Sequence, residues 1–85
     1  MDKKPGDNVQ YDEENDVLYV LLSDRDISKT RALDDLRLVD YDDREEPVGI
    51  EFISASDGVD LTDAPAPARI RRLLDEAGIT FPIHA

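Results

Sequence analysis

Apolar residues recur along this chain at two periods, and the period changes once. From residue 9 the pattern belongs to strands. Val9 and Tyr11 alternate with polar neighbours, residues 13–16 are a polar turn, and residues 17–22 (Val-Leu-Tyr-Val-Leu-Leu) are β-branched, aromatic or aliphatic throughout. That run predicts a central strand with both faces covered. Residues 23–28 read as a polar bend and residues 29–34 as a weaker, peripheral strand. Leu36, Leu38 and Val39 lead into Asp40-Tyr41-Asp42, residues 43–47 turn the chain, and Val48, Ile50 and Phe52 then alternate with Gly49 and Glu51. The connections are too short for parallel crossovers, so residues 9–57 are expected to form an antiparallel β-meander of four to five strands.

Beyond Asp57-Gly58 and Asp60 the period becomes helical. Ile70, Leu73, Leu74 and Ala77 fall at i, i+3, i+4 and i+7, a single stripe flanked by Arg69, Arg71, Arg72, Asp75 and Glu76. Pro65 and Pro67 are tolerated only in a first turn and Gly78 suits the position after a helix, which places the helix at about residues 66–77. The fold class is therefore α+β, with one C-terminal helix packed on one face of the sheet. Residues 1–8, polar and broken by Pro5 and Gly6, are expected to be a disordered leader. Residues 58–85 supply the exit loop, the helix and an apolar tail of the same single domain.

One short helix covers one sheet face, yet apolar residues lie on both. Val17, Tyr19 and Leu21 point away from Leu18, Val20 and Leu22. Together with Val39, Tyr41, Ile53 and the tail residues Phe81 and Ile83, they form a second face expected to meet another copy of the chain, most simply as a dimer, with the tail folding back over that face in the same chain as the alternative. Size points the same way. A chain of 85 residues and 9.6 kDa buries only about 63% of its unfolded surface, and association is a common remedy.

Charge changes the picture further. The net charge is −11, and it is uneven: residues 1–64 carry 19 acids and 7 bases (−12), residues 65–85 carry 2 acids and 3 bases (+1). A field of this sign disfavours direct binding to nucleic acid or to an anionic membrane. It suits a basic protein partner, or simply solubility at high salt. The exposed carboxylates expected to meet such a partner are Asp24, Asp26, Asp34, Asp35, Asp42, Asp43, Glu45 and Glu46. The absence of Cys excludes disulfides, thiol nucleophiles and zinc ribbons, and the longest apolar run is far too short to span a bilayer. A cytoplasmic protein is expected.

Little in the chain suggests catalysis. Asp40, Asp42, Glu46 and Glu51 match some positions of a calcium loop, but Arg44 and Glu45 occupy the places that need a ligand and a glycine. Asp12, Glu14 and Asp16 surround a turn, where carboxylates usually bond the local backbone. The serines have no neighbouring base, and His84 stands alone near the end of the tail. Arg69, Arg71 and Arg72 read as flanks of the helix stripe. No enzyme activity, metal site or cofactor is expected.

Tyr11-Asp12, then residues 16–22 (DVLYVLL), residues 38–42 (LVDYD) and residues 47–53 (PVGIEFI) occur in an order and spacing that resemble a small prokaryotic family, domain of unknown function 2283. The resemblance covers roughly residues 9–57. It implies a compact sheet and self-association, with no established activity. Members of that family are often encoded beside small RelE-like ribonuclease toxins, which implies an antitoxin role for some. Two expectations follow: a non-catalytic module that neutralises a basic toxin, or a self-associating structural domain with no separate ligand.

Overall fold

The computed structural model of the chain describes residues 8–84. Residues 1–7 of the expected leader lie outside the described residues, whereas Asn8 already belongs to the fold. Its side-chain Nδ2 donates to the Leu21 carbonyl at 3.0 Å, and its own carbonyl accepts from the Leu21 N–H at 2.7 Å.

Five strands form one sheet: β1 (Val9–Asp12), β2 (Val17–Leu21), β3 (Lys29–Asp34), β4 (Arg37–Tyr41) and β5 (Pro47–Ile53). All neighbours are antiparallel, and the spatial order is β1-β2-β5-β4-β3. The strand positions agree with the sequence pattern, but the order corrects the expected meander. After β2 the chain crosses to the far edge through residues 22–28, and β5 returns to fill the gap between β2 and β4. The central strand is thus β5, at seven residues the longest, and not the run at residues 17–22.

Register decides which side chains meet. Val20 and Val39 both pair with Ile50, while Leu18 and Arg37 both pair with Phe52. Directly opposed residues share a face, so these rows form the inner face, and Leu18, Val20, Val39, Ile50 and Phe52 are all buried. Val17, Tyr19, Leu21, Leu38 and Ile53 lie on the outer face, where each is half-buried. The β4 residues therefore sort against expectation: Val39 is in the core and Tyr41 packs against it, so neither belongs to the second face.

The segment after β5 adds residues to the buried cluster that contains the inner face. A 3-10 turn (Ala55–Asp57) leads to a short strand β6 (Val59–Asp60), the helix α1 (Pro67–Glu76), and a short strand β7 (Ile83–His84) parallel to β6. Ile70 and Leu74 of α1, with Ala55, Val59, Leu61 and Ala64, complete the buried cluster. The tail docks in cis. Phe81 meets Tyr11 edge-on with ring centroids 5.0 Å apart, and Ile83 pairs with Val59 while packing on the core. Phe81 and Ile83 are thereby removed from the expected association face.

Both helix ends follow from sequence. Pro67 occupies the first turn. At the other end the Ile79 N–H donates to the Leu74 carbonyl at 2.9 Å and the Gly78 N–H to the Asp75 carbonyl at 3.1 Å, with Gly78 at φ 75. This is the Schellman arrangement, completed by Ile79 packing on the core. The N-terminus is less well served. Ala66 stands before Pro67 at φ 45 and ψ 56, offers no side-chain cap and is exposed. A left-handed conformation costs an L-residue roughly 1–2 kcal/mol, offset in part by the larger unfolded-state entropy of glycine. Ala66→Gly is therefore expected to stabilise the domain by about 0.5–1 kcal/mol, a rise of roughly 2–8 °C in Tm by thermal melting, whereas Ala66→Val lowers it.

Candidate functional site

Several of the residues that carried the family resemblance have structural tasks. Asp16, at φ 54 between β1 and β2, uses Oδ1 to accept from the Tyr11 hydroxyl at 2.7 Å and from the Ser56 N–H at 2.9 Å; its Oδ2 accepts from the Ser56 hydroxyl at 2.6 Å. The first hairpin is thus fastened to the 3-10 turn 40 residues later. These bonds hold the Asp16 carboxyl below its usual range, the Ser56 hydroxyl contributing most, and the Asp16 bond pushes the Tyr11 hydroxyl up to about 12. Asp12 accepts from the Asn15 side chain and backbone and closes the same turn.

On the outer face, the Tyr19 hydroxyl donates to Asp40 Oδ2 at 2.8 Å and the Thr30 hydroxyl donates to Asp40 Oδ1. Burial and the Asp40 carboxylate both raise the Tyr19 pKa. The Tyr19 side chain lies across Gly49, where a Cβ would run into its ring and hydroxyl. Gly49 is needed for this close approach and not for backbone freedom.

Asp42 is 2% exposed. Its Oδ1 accepts from the Arg44 and Glu46 N–H groups at 2.8 and 2.9 Å, and its backbone exchanges further bonds with Glu46 and Glu45. The side chain thus builds the β4–β5 turn, in which Glu45 takes φ 62. Asp42 Oδ2 makes no well-directed hydrogen bond and is neutralised by Arg25 Nε at 2.5 Å. The carboxyl is held below its usual range, chiefly by the Glu46 N–H, then by Arg44 and Arg25.

This turn and the β2–β3 connection wall an open cleft of about 990 Å³ lined by Asp24, Arg25, Asp26, Ile27, Ser28, Asp42, Asp43, Arg44 and Glu46. Of the eight carboxylates expected to meet a partner, Asp24, Asp26, Asp42, Asp43 and Glu46 converge here. Asp42 is a buried turn cap, so it cannot present its charge outward, which corrects its expected role. Glu45 turns aside to Lys29 and Arg31, at 2.9 and 2.7 Å. Asp34 and Asp35 lie at the opposite end of β4. Asp34 is bound there by Arg37, while Asp35 is exposed. No cluster of three or more His, Cys, Asp or Glu suited to a metal occurs among the described residues.

Sequence reasoning missed Arg25, Ile27, Ser28 and Arg44 in the cleft wall, and it missed Arg37. Arg37 is 7% exposed. Its Nε and NH2 donate to Asp34 Oδ2 at 3.0 and 2.9 Å, and NH1 donates to the carbonyls of Asp60, at 3.0 Å, and Thr62. A buried guanidinium requires such partners, and here they tie β4 to β6 and to Thr62 just beyond it. The available signal was a lone cation in step with Val39 and Tyr41.

A family described as Protein of unknown function (DUF2283) matches residues 8–56. The match covers more than half of the chain, and the chain belongs to that family. No curated protein and no solved structure gives a significant match. Among the described residues no helix is long and apolar enough to cross a membrane.

Two expectations follow from this geometry. Gly49→Ala destabilises the protein, and in a Tyr19→Ala background it costs less, with a coupling of about 1–3 kcal/mol by double-mutant cycle in urea. A folded carboxyl pKa below its unfolded value gives stability that is present above the usual range near 3.8 and is lost as pH falls through the folded value. The Tm gap between wild type and Asp42→Asn is therefore largest near about pH 7 and closes toward about pH 2.

Proposed function

We propose that the chain is a non-catalytic binding module whose acidic cleft receives a basic protein in the cytoplasm, in the manner of an antitoxin that neutralises a small ribonuclease toxin. The observation that carries this reading is the convergence of exposed Asp26, Asp43 and Glu46 on one cleft between two loops. Asp42 fixes the backbone of one loop, so the carboxylates beside it are held in place before a partner arrives. Such preorganisation reduces the entropy cost of association. The net charge of −11 adds long-range attraction toward a basic surface that binds RNA phosphates.

Self-association is the second reading. It is favoured by the exposure of Ile27, Leu33 and Leu36, large apolar side chains that a small acidic domain would otherwise bury.

The first reading is tested by stopped-flow association with a RelE-like ribonuclease toxin at about 0.01 M and about 1 M ionic strength. Fast binding at low salt that slows at high salt is expected, and Asp26→Lys/Asp43→Lys/Glu46→Lys should slow the low-salt rate by about tenfold or more. Co-expression should relieve toxicity in wild type and not in the triple variant. No binding at low salt, or a rate indifferent to the triple reversal, rules the reading out.

A further inference from the structure

Two strands lie at the sheet edges: β1, of four residues, and β3, of six. A free edge offers alternate N–H and C=O groups to another chain, and proteins commonly blunt it with cations or a bulge. β3 has both devices, Lys29 and Arg31 along the strand and an irregularity between Ala32 and Asp34. The cations are drawn back over their own sheet. Lys29 Nζ and Arg31 NH2 meet the same Glu45 oxygen, and the Arg31 guanidinium lies 5.6 Å from the Tyr41 ring centroid. The irregularity leaves Leu33 with no partner on β4.

Three large apolar side chains are exposed among the described residues: Ile27 (54%), Leu33 (37%) and Leu36 (51%). All three lie in or beside β3, while the outer-face residues Val17, Tyr19, Leu21 and Ile53 are half-buried. Charge along this edge is graded as well. Lys29 and Arg31 occupy its first half, and Asp34 and Asp35 follow at its end. Parallel pairing of two such edges would set like charges together, whereas antiparallel pairing sets the basic half of one against the acidic end of the other. With a two-fold axis at Ala32, Thr30 faces Asp34 of the second copy, and Lys29 and Ile27 lie toward the turn residues Asp35 and Leu36 that follow its β3. Ala32, the small residue, sits at the axis.

We propose that β3 is a homodimer edge, through which two copies pair antiparallel about Ala32 and join their sheets into one. The proposal rests on the self-association reading; it shares Ile27 and Ser28 with the wall of the acidic cleft, whereas Leu33 and Leu36 lie outside that wall. Salt separates the two. Screening the repulsion between two chains of net charge −11 strengthens the dimer, whereas it weakens attraction to a basic partner.

Light scattering tests the proposal directly. Wild type should approach twice the 9.6 kDa monomer mass as concentration and salt rise. Leu33→Lys/Leu36→Lys, which alters two exposed residues, should remain at the monomer mass with an unchanged far-ultraviolet spectrum. Because the chain has no Cys, Ala32→Cys reports the geometry: mild oxidation should link it into dimers, while Ile53→Cys on the outer face should stay unlinked. A wild type that remains monomeric at millimolar concentration overturns the proposal, as does linkage through Ile53→Cys without Ala32→Cys. A monomer whose Leu33→Lys/Leu36→Lys variant loses binding to the ribonuclease toxin assigns the edge to that protein instead, and also overturns it.

Discussion

Ile50 and Phe52 cannot be dried by one neighbouring strand. Ile50 lies between Val20 and Val39, and Phe52 between Leu18 and Arg37, so β5 must have β2 on one side and β4 on the other. The remaining architecture answers to that requirement. The long connection after β2 exists because β3 and β4 have to approach from the far side. The segment carrying α1 adds Ile70 and Leu74 to the same buried cluster as the two rows. Arg37 occupies the place in the second row where the sheet meets this segment. Its alkyl stem continues the apolar row, and its guanidinium donates to the Asp60 and Thr62 carbonyls.

The family pattern reads differently once its residues are located. Tyr11 and Asp16, Tyr19 and Asp40, Gly49 beneath Tyr19, and Asp42 in its turn are fixed by mutual contacts. A residue so occupied has little capacity to act on a ligand. The pattern is therefore a description of how the sheet is held together, and Asp26 and Asp43, on which the proposed function draws, lie beside it. Loops set on a rigid sheet can vary in charge without disturbing the rows beneath.

Local periodicity made strand positions, the helix and its glycine stop legible in the sequence. Strand order was not, because pairing of residues 17–21 with 49–53 leaves no mark on either segment alone. The faces of β4 were ambiguous for a related reason: Leu36 and Leu38 in one phase, Val39 and Tyr41 in the other, are equally apolar, and only the register with Ile50 chooses between them. The two-residue strands β6 and β7 are too short to show any period. Exposure of acids was well anticipated at Asp26, Asp35, Asp43 and Glu46. It failed at Asp42, whose burial comes from backbone donors in a turn that composition does not reveal.

The place of β5 also bears on the order in which the domain assembles. The β1–β2, β3–β4 and β4–β5 pairs are each closed by a short local turn, at low loop-closure cost. β5, last of the five in sequence, joins β2 only by pairing Val17 with Ile53 across most of the sheet's length in sequence. Such non-local closure slows folding relative to local hairpins. Until it occurs, both β2 and β5 offer an unmatched edge, so crowding of nascent chains favours pairing of β2 of one chain with β5 of its neighbour, a route to swapped assemblies that the finished fold conceals.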